Sequence, residues 1–382
     1  MEVHRYYDLD SDRQVSDMVR ESAKLWSQPL EDDGAEKEFS RYRGYILRKI
    51  VFIVLCFVIM FICISIAVTI GASNIGFWET YEILWRHLTG NVVDTYKDYI
   101  VVKLRMPSIL TATVAGAGLA VCGVAMQSTL KNPLADPYTT GVSSGAGFGA
   151  SVALALNMMI VPGEYGLVFN AFIFALIPTA AIALVSKFKN ASPTTMIMAG
   201  IAIMYIFNAC TTLVKLWADN ETLSAIYRWQ VGTVSGTNYE EITVMAAFVL
   251  AGTAVIWFLS RKINLLSTGD ENAKAMGVNA EQLRIICLII VALVSASVVS
   301  FTGLIGFIGL VAPHIVRIFI GADNRYLVPA SAAFGAALLV FSYAVSVWLI
   351  HPITLQVGVV TSFLGGPLFL WLIIRKQNEV WG

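Results

Sequence analysis

The side chains that could hold a metal or pass a proton do not converge in this sequence. Its four histidines, His4, His87, His314 and His351, are widely scattered, and no H-E-x-x-H pair occurs. No G-x-S-x-G turn offers a nucleophile, and no G-x-x-x-x-G-K-[ST] loop could cradle the phosphates of a nucleotide. The five cysteines, Cys56, Cys63, Cys122, Cys210 and Cys287, all fall within apolar runs and form no C-x-x-C. That is the setting of small packing residues, not of ligands or disulfides. The sequence shows no catalytic set, and no cofactor or metal is assigned to the chain.

What remains is the chemistry of turning corners and presenting a surface. In TLKNPLADPYTTGVSSGAGFG (129–149), Pro133 and Pro137 push Asn132 and Asp136 out of the helical region, so the chain must turn. Thr139, Thr140 or Ser143 is expected to cap the helix that follows. On that helix Gly141, Gly145 and Gly149 recur every fourth residue. Such a face lets helix backbones approach closely, or gives a substrate path a smooth wall. In NLLSTGDENAKAMGVNAEQLR (264–284), Thr268 or Asp270 can cap a short helix through Ala273–Met276, which Gly277 ends. Asn279, with Gln282 three positions later, caps a second helix. The product is a helix–turn–helix shelf presenting Ala273, Ala275 and Met276, either a solvated loop or a docking surface.

These features hang on long apolar runs. Of the 382 residues 57% are hydrophobic and 14% charged, and the mean hydropathy is +0.70. A soluble domain carries roughly 25% charged residues, so lipid is the solvent that fits. Runs near the roughly 20 residues needed to span a bilayer lie at about 48–71, 106–128, 141–161, 166–187, 193–216, 240–260, 284–305, 327–350 and 356–374, with a shorter one at 306–320. Only helices satisfy the backbone in runs of this kind. The fold class is therefore all-α, a polytopic membrane protein of about ten transmembrane helices.

Arg41, Arg43, Arg48 and Lys49 flank the first run, and Lys131, Lys187, Arg261, Lys274, Arg284 and Arg317 fall on the same side. The positive-inside rule puts that side and both termini in the cytoplasm, in the cell membrane. Residues 1–45 are then a polar cytoplasmic tail with 11 acidic and 7 basic residues, and 46–382 form the transmembrane domain. Within the tail, VSDMVRESAKLW reads as a short amphipathic helix or as disorder. A net charge of zero suggests no nucleic-acid partner.

The runs are informative for what they lack. Residues 106–128, 141–161, 193–214, 285–312, 327–350 and 356–374 contain no Asp, Glu, Lys or Arg. Ion-coupled transporters carry such groups as coupling sites. A secondary transporter is the different-class alternative, and here it would have only hydroxyls and His314 to work with. If this chain moves something uphill, the energy comes from another subunit.

Seven collinear motifs carry a family resemblance. They are L-R-M-P-S-I-L (104–110), G-x-x-x-Q-x-x-L-K-N-P-L-A-D-P (123–137), G-V-S-S-G-A (141–146), G-D-E-N-A-K-A-M-G-V (269–278), G-L-I-G-F-I-G-L-V-A-P-H-I-V-R (303–317), G-A-D-N-R-Y-L-V-P-A-S (321–331) and V-G-V-V-T-S-F-L-G-G-P-L-F (357–369). From about Tyr42 to Trp371 the chain resembles the FecCD-type permeases, membrane subunits of ABC importers for iron–siderophores, haem and cobalamin. The resemblance implies the type II ABC importer architecture, with a path between two copies of the chain. It also implies two cytosolic ATPase subunits that bind the ATP and Mg, and an extracytoplasmic binding protein that delivers the metal chelate. An iron–siderophore leads the substrate classes, with cobalamin or haem as alternatives.

By the same resemblance Gly269, Asp270, Glu271, Ala275, Met276 and Gly277 couple to the ATPase, and Arg105 docks the binding protein. Asn132, Pro133, Asp136, Pro137, Gly141, Gly145, Gly149, Pro313 and His314 serve helix packing or the path. The chain departs from the family where R-L-P-R becomes Arg105-Met106-Pro107-Ser108. It departs again where FSYAVS (341–346) lacks an Asp and an Arg, and where E-L-P-V-G becomes Leu355-Gln356-Val357-Gly358.

Overall fold

A computed structural model describes residue 20 and residues 32–71, 73, 75–188, 192–350 and 353–375. Within the stretch 15–26 only Arg20 is described, so the expected tail helix lies outside the described residues. The chain divides into two units, 1–50 and 51–382. All packing described below is within the second.

The described residues form helices joined by short turns. The apolar helices are α1 (Asp32–Thr69), α3 (Thr95–Thr129), α4 (Val142–Leu156), α5 (Gly166–Phe188), α6 (Pro193–Leu216), α8 (Tyr239–Leu266), α10 (Ala280–Thr302), α11 (Ile308–Ile320), α12 (Asn324–Trp348) and α13 (Val357–Arg375). Seven are long and apolar enough to cross a membrane, while α4, α11 and α13 are shorter apolar helices. Three further helices are amphipathic or short: α2 (Phe77–Leu88), α7 (Asn220–Val231) and α9 (Asp270–Ala275). Helices α2 and α7 lie in stretches between the apolar runs. Each mixes Trp and Tyr with charges, which gives a one-sided helix too polar to register as a span. Asp219 caps α7 by accepting from the Thr222 N–H at 3.0 Å.

The axis of the bundle is α3, with 78% of its apolar window buried, against 17% for α6. It packs on α8, α10, α11 and α12, while α4 lies against α5, α6 and α7. Small residues set these distances. A Cβ on Gly116 would overlap the Gly335 carbonyl of α12, and one on Gly123 would overlap the Gly309 carbonyl of α11. On α4, a Cβ at Gly149 would stand 2.6 Å from the Asn170 oxygen of α5, and one at Gly145 would overlap the Phe174 oxygen. Without a hydrophobic force between helices in lipid, such close backbone contact supplies the attraction.

The start of α3 is irregular. Tyr99–Arg105 winds as a π-helix, with the Met106 N–H bonding back to Val101 O. Pro107 follows within the first turn of regular helix and has no N–H to give. Wide turns of this kind re-aim side chains.

Overpacking a core costs about 1–3 kcal/mol, and a rigid carbonyl cannot retreat. Gly123→Ala is therefore expected to cost about 3 kcal/mol, and Gly306→Ala, which meets nothing within 4 Å, roughly 0.5 kcal/mol or less. Thermal midpoints of the two variants in detergent would show this, and equal midpoints would refute the backbone-contact account.

Candidate functional site: a shelf and a corner

The shelf is α9, the turn after it and the start of α10. Neither expected cap forms on α9. Gly269 (φ +111°) precedes the helix without a side-chain cap, and the Thr268 hydroxyl donates back to Leu265 O at 2.8 Å. Asp270 is drawn away by cations instead: Arg284 Nη1 donates to its Oδ2 at 2.8 Å and Nη2 to its Oδ1 at 2.6 Å. Lys131 Nζ lies 3.4 Å from the same Oδ1. The Arg284 guanidinium holds the Asp270 carboxyl below its ordinary value, so the pair stays ionised at neutral pH.

Gly277 takes φ +81° in the turn, and Asn279 caps α10 by accepting from the Gln282 N–H at 3.1 Å. Ala273 is not presented. The Val278 N–H closes on Ala273 O at 2.9 Å and the methyl group is buried in the core. Glu271, Lys274, Ala275, Met276 and Gly277 make up the exposed face.

The corner after α3 starts at Lys131, whose φ is +50°. Asn132 Oδ1 accepts from the Leu134 N–H at 2.9 Å, and Asp136 Oδ1 accepts from the Thr139 N–H at 2.8 Å. Asp136 is extended (φ −138°, ψ 169°) and leads into a 3-10 turn, Pro137–Thr140. The expected hydroxyl caps of α4 do not form: Gly141 (φ +85°) is the N-cap, and Thr140 bonds within its own turn to Pro137 O at 2.7 Å. Only glycine adopts that φ cheaply. The Tyr138 hydroxyl donates to Ile305 O at 2.8 Å and accepts from the Ile305 N–H at 3.2 Å. It thereby satisfies backbone in the non-helical stretch between α10 and α11.

Three consecutive polar residues end α3, and each reaches a different neighbour. Gln127 Oε1 accepts from Arg317 Nη1 at 3.0 Å, and its Nε2 donates to Leu310 O at 3.1 Å and to Gly309 O at 3.5 Å. Pro313 explains why a carbonyl there needs a donor, because proline removes the helical bond to Gly309 O. His314, on the next position of α11, is buried and meets the Phe369 ring edge-on at 6.4 Å. The Ser128 hydroxyl donates to Asn324 Oδ1 at 2.9 Å, and Asn324 Nδ2 donates to Asn264 Oδ1 at 2.8 Å. Thr129 O accepts from Arg284 Nε at 3.1 Å. Arg284 is 2% exposed. From sequence it is one of the charges on the cytoplasmic side, and Gln127 is a letter of one motif. A Gln-Ser-Thr run closing an apolar helix is the sequence signal of these contacts.

Arg105 sits at the other end of α3 and does not face outward. It is 4% exposed, with Nη1 donating to Val68 O at 3.2 Å and Thr69 O at 3.3 Å, and Nη2 to Ser73 O at 3.0 Å. The guanidinium supplies donors to the carbonyls that α1 leaves unpaired. Within this chain the side chain fastens the end of α1. Arg105 also lines a 910 Å³ cavity, together with Lys103, Glu164, Tyr239 and Glu240 among others.

Residues 57–375 match the FecCD transport family. The chain belongs to that family. It is a multi-pass ABC permease, a transport subunit and not an enzyme. It is 33% identical to the hemin transport system permease protein HmuU of Yersinia pestis, covering 82% of this chain and 94% of that one. The Fe(3+)-citrate import system permease protein YfmD of Bacillus subtilis is 30% identical over 86% and 96% of the two chains. The cobalamin import system permease protein BtuC of Halobacterium salinarum is 34% identical over 73% and 74%. A solved inward-facing structure of a metal-chelate type ABC transporter aligns with a TM-score of 0.74 at 28% identity, over 85% of this chain and 99% of that one.

Burial pushes the Asp136 carboxyl up to about 6, against the N–H bonds that lower it. A carboxyl raised in the folded state stabilises most below its ordinary value, and that contribution is lost as pH rises through about 6. The wild type is therefore expected to gain about 1.4 kcal/mol on Asp136→Asn as pH falls from roughly 8 to roughly 5. Thermal midpoints across that range test this, and a difference independent of pH would overturn it.

Proposed function

We propose that this FecCD permease is the membrane subunit of an ATP-driven importer for a metal chelate, an iron–siderophore first, with cobalamin or haem as the alternatives. Two copies of the chain enclose the path, two ATPase subunits dock on the shelf from the cytoplasm, and a binding protein delivers the chelate outside. Relatives named for hemin, Fe(3+)-citrate and cobalamin support the substrate class.

The observation that carries the reading is the exposed face of α6. Tyr205, Asn208 and Thr212 follow one another at helical spacing on that face, with Tyr205 67% exposed. An amide facing lipid is costly, so such a stripe belongs against a second protein surface or a water-filled path. The spans carry no coupling carboxylate, which leaves the work to ATP. The exposed face of the shelf, Glu271 to Gly277, is the surface a nucleotide-hydrolysing partner would grip.

Deleting the gene is expected to abolish uptake of one radiolabelled chelate from a panel of ferric siderophores, cobalamin and haem. Unchanged uptake of all of them would overturn the substrate class. Glu271→Lys reverses a charge on the shelf face, and a β-branched residue at Gly277 strains a positive φ by about 1–2 kcal/mol. Both variants are expected to reach the membrane folded and lose transport, as uptake and thermal midpoint together would show. Full transport by both would remove the shelf from the mechanism.

A further inference from the structure

We propose that Arg284, with Asp270, is the positioning pair that passes displacement of the shelf to the corner between α3 and α4. The inference rests on the reading of the shelf as an ATPase docking surface and adds the route by which docking reaches the path.

The argument starts from the geometry of one guanidinium. Arg284 spends two nitrogens on both oxygens of Asp270, at 2.8 and 2.6 Å, and its third on Thr129 O at 3.1 Å. Asp270 is the first residue of α9 and Thr129 the last of α3, so one planar group joins the shelf to the axial helix. Asp270 also draws in Lys131, which begins the corner. The shelf residue is 47% exposed at its side chain and the arginine 2%. The pair thus runs from a surface a partner can move to a site that cannot rearrange without losing bonds.

Burial makes the tie stiff. A buried cation that loses its carboxylate pays several kcal/mol, so Arg284 follows Asp270 more readily than it separates from it. The fork geometry fixes direction as well as distance. Beyond Thr129 the corner has little slack of its own. Lys131 stands at positive φ, Asp136 and Thr139 close the turn, and Tyr138 holds the non-helical stretch at Ile305. Movement delivered at Thr129 is therefore passed on to the start of α4 and to the break before α11. Glu281 and Lys274 share a 610 Å³ cleft with the pair.

The test uses the full chain with the ATPase subunit that co-purifies with it, in nanodiscs, with the five native cysteines replaced. Bimane is attached at Leu134→Cys on the corner or at Thr268→Cys beside the shelf. Its emission is read with and without ATP and vanadate. In the otherwise unaltered chain both positions are expected to respond. With Arg284→Gln the shelf response is expected to stay and the corner response to be lost. Asp270→Asn, which leaves the Thr129 bond in place, is expected to weaken the corner response, and it decides the matter if Arg284→Gln does not fold.

A corner response at full amplitude in the folded variants, with the shelf responding, would overturn the positioning role and leave shelf docking intact. Failure of any ATPase to co-purify, or no response at Thr268 in the unaltered chain, would overturn docking and the pair together. A merely structural role for Arg284 would lower the thermal midpoint without separating the two responses.

Discussion

A helix surrounded by other helices has no water to take its end carbonyls, and α3 meets that constraint with buried guanidinium groups. Arg284 serves the carbonyl of Thr129, Arg317 serves the amide of Gln127, and Arg105 at the far end serves the last carbonyls of α1. An unpaired buried polar group costs about 1–3 kcal/mol, and more if charged. These arginines are therefore structural before they are anything else. Their placement lets the axis of the bundle be apolar through its middle and polar at its ends. That in turn leaves residues 106–128 of the axis free of Asp, Glu, Lys and Arg.

Close helix contact is the second dependency. Gly116 and Gly123 bring α3 within backbone distance of α12 and α11, and Gly145 and Gly149 do the same for α4 and α5. Contacts of this kind leave no room for a flexible side chain to absorb displacement. The bundle is thus made of helix pairs that move together, joined at corners such as 130–141 that hold their shape through local bonds.

The seven long spans are legible because lipid demands about 20 apolar residues in a row and the sequence supplies them openly. The shelf is legible as two helices with a glycine between. Its orientation is not: Ala273 reads as presented and is buried, and Asp270, one of the two residues expected to cap, is instead half of an ion pair. Helix capping is decided within four residues, whereas Asp270 is claimed by a cation 14 positions away. The glycines of α4 read as a packing face or a path wall, and neither reading reveals that Gly141 is also its N-cap at φ +85°. Helices α2 and α7 were missed because a twelve-residue amphipathic stretch has neither the length nor the apolarity of a span.

The π-helical stretch Tyr99–Arg105 makes residue count matter as much as residue type. Each residue of a regular helix turns the chain by about 100°, and a wider turn absorbs one residue without that rotation. Lys103 is exposed, and Arg105 is buried against the end of α1. The register of everything before residue 99 is thus offset from that of the bundle behind it. In evolution, a one-residue deletion here would leave every side chain in place by name while turning Arg105 away from the carbonyls it serves.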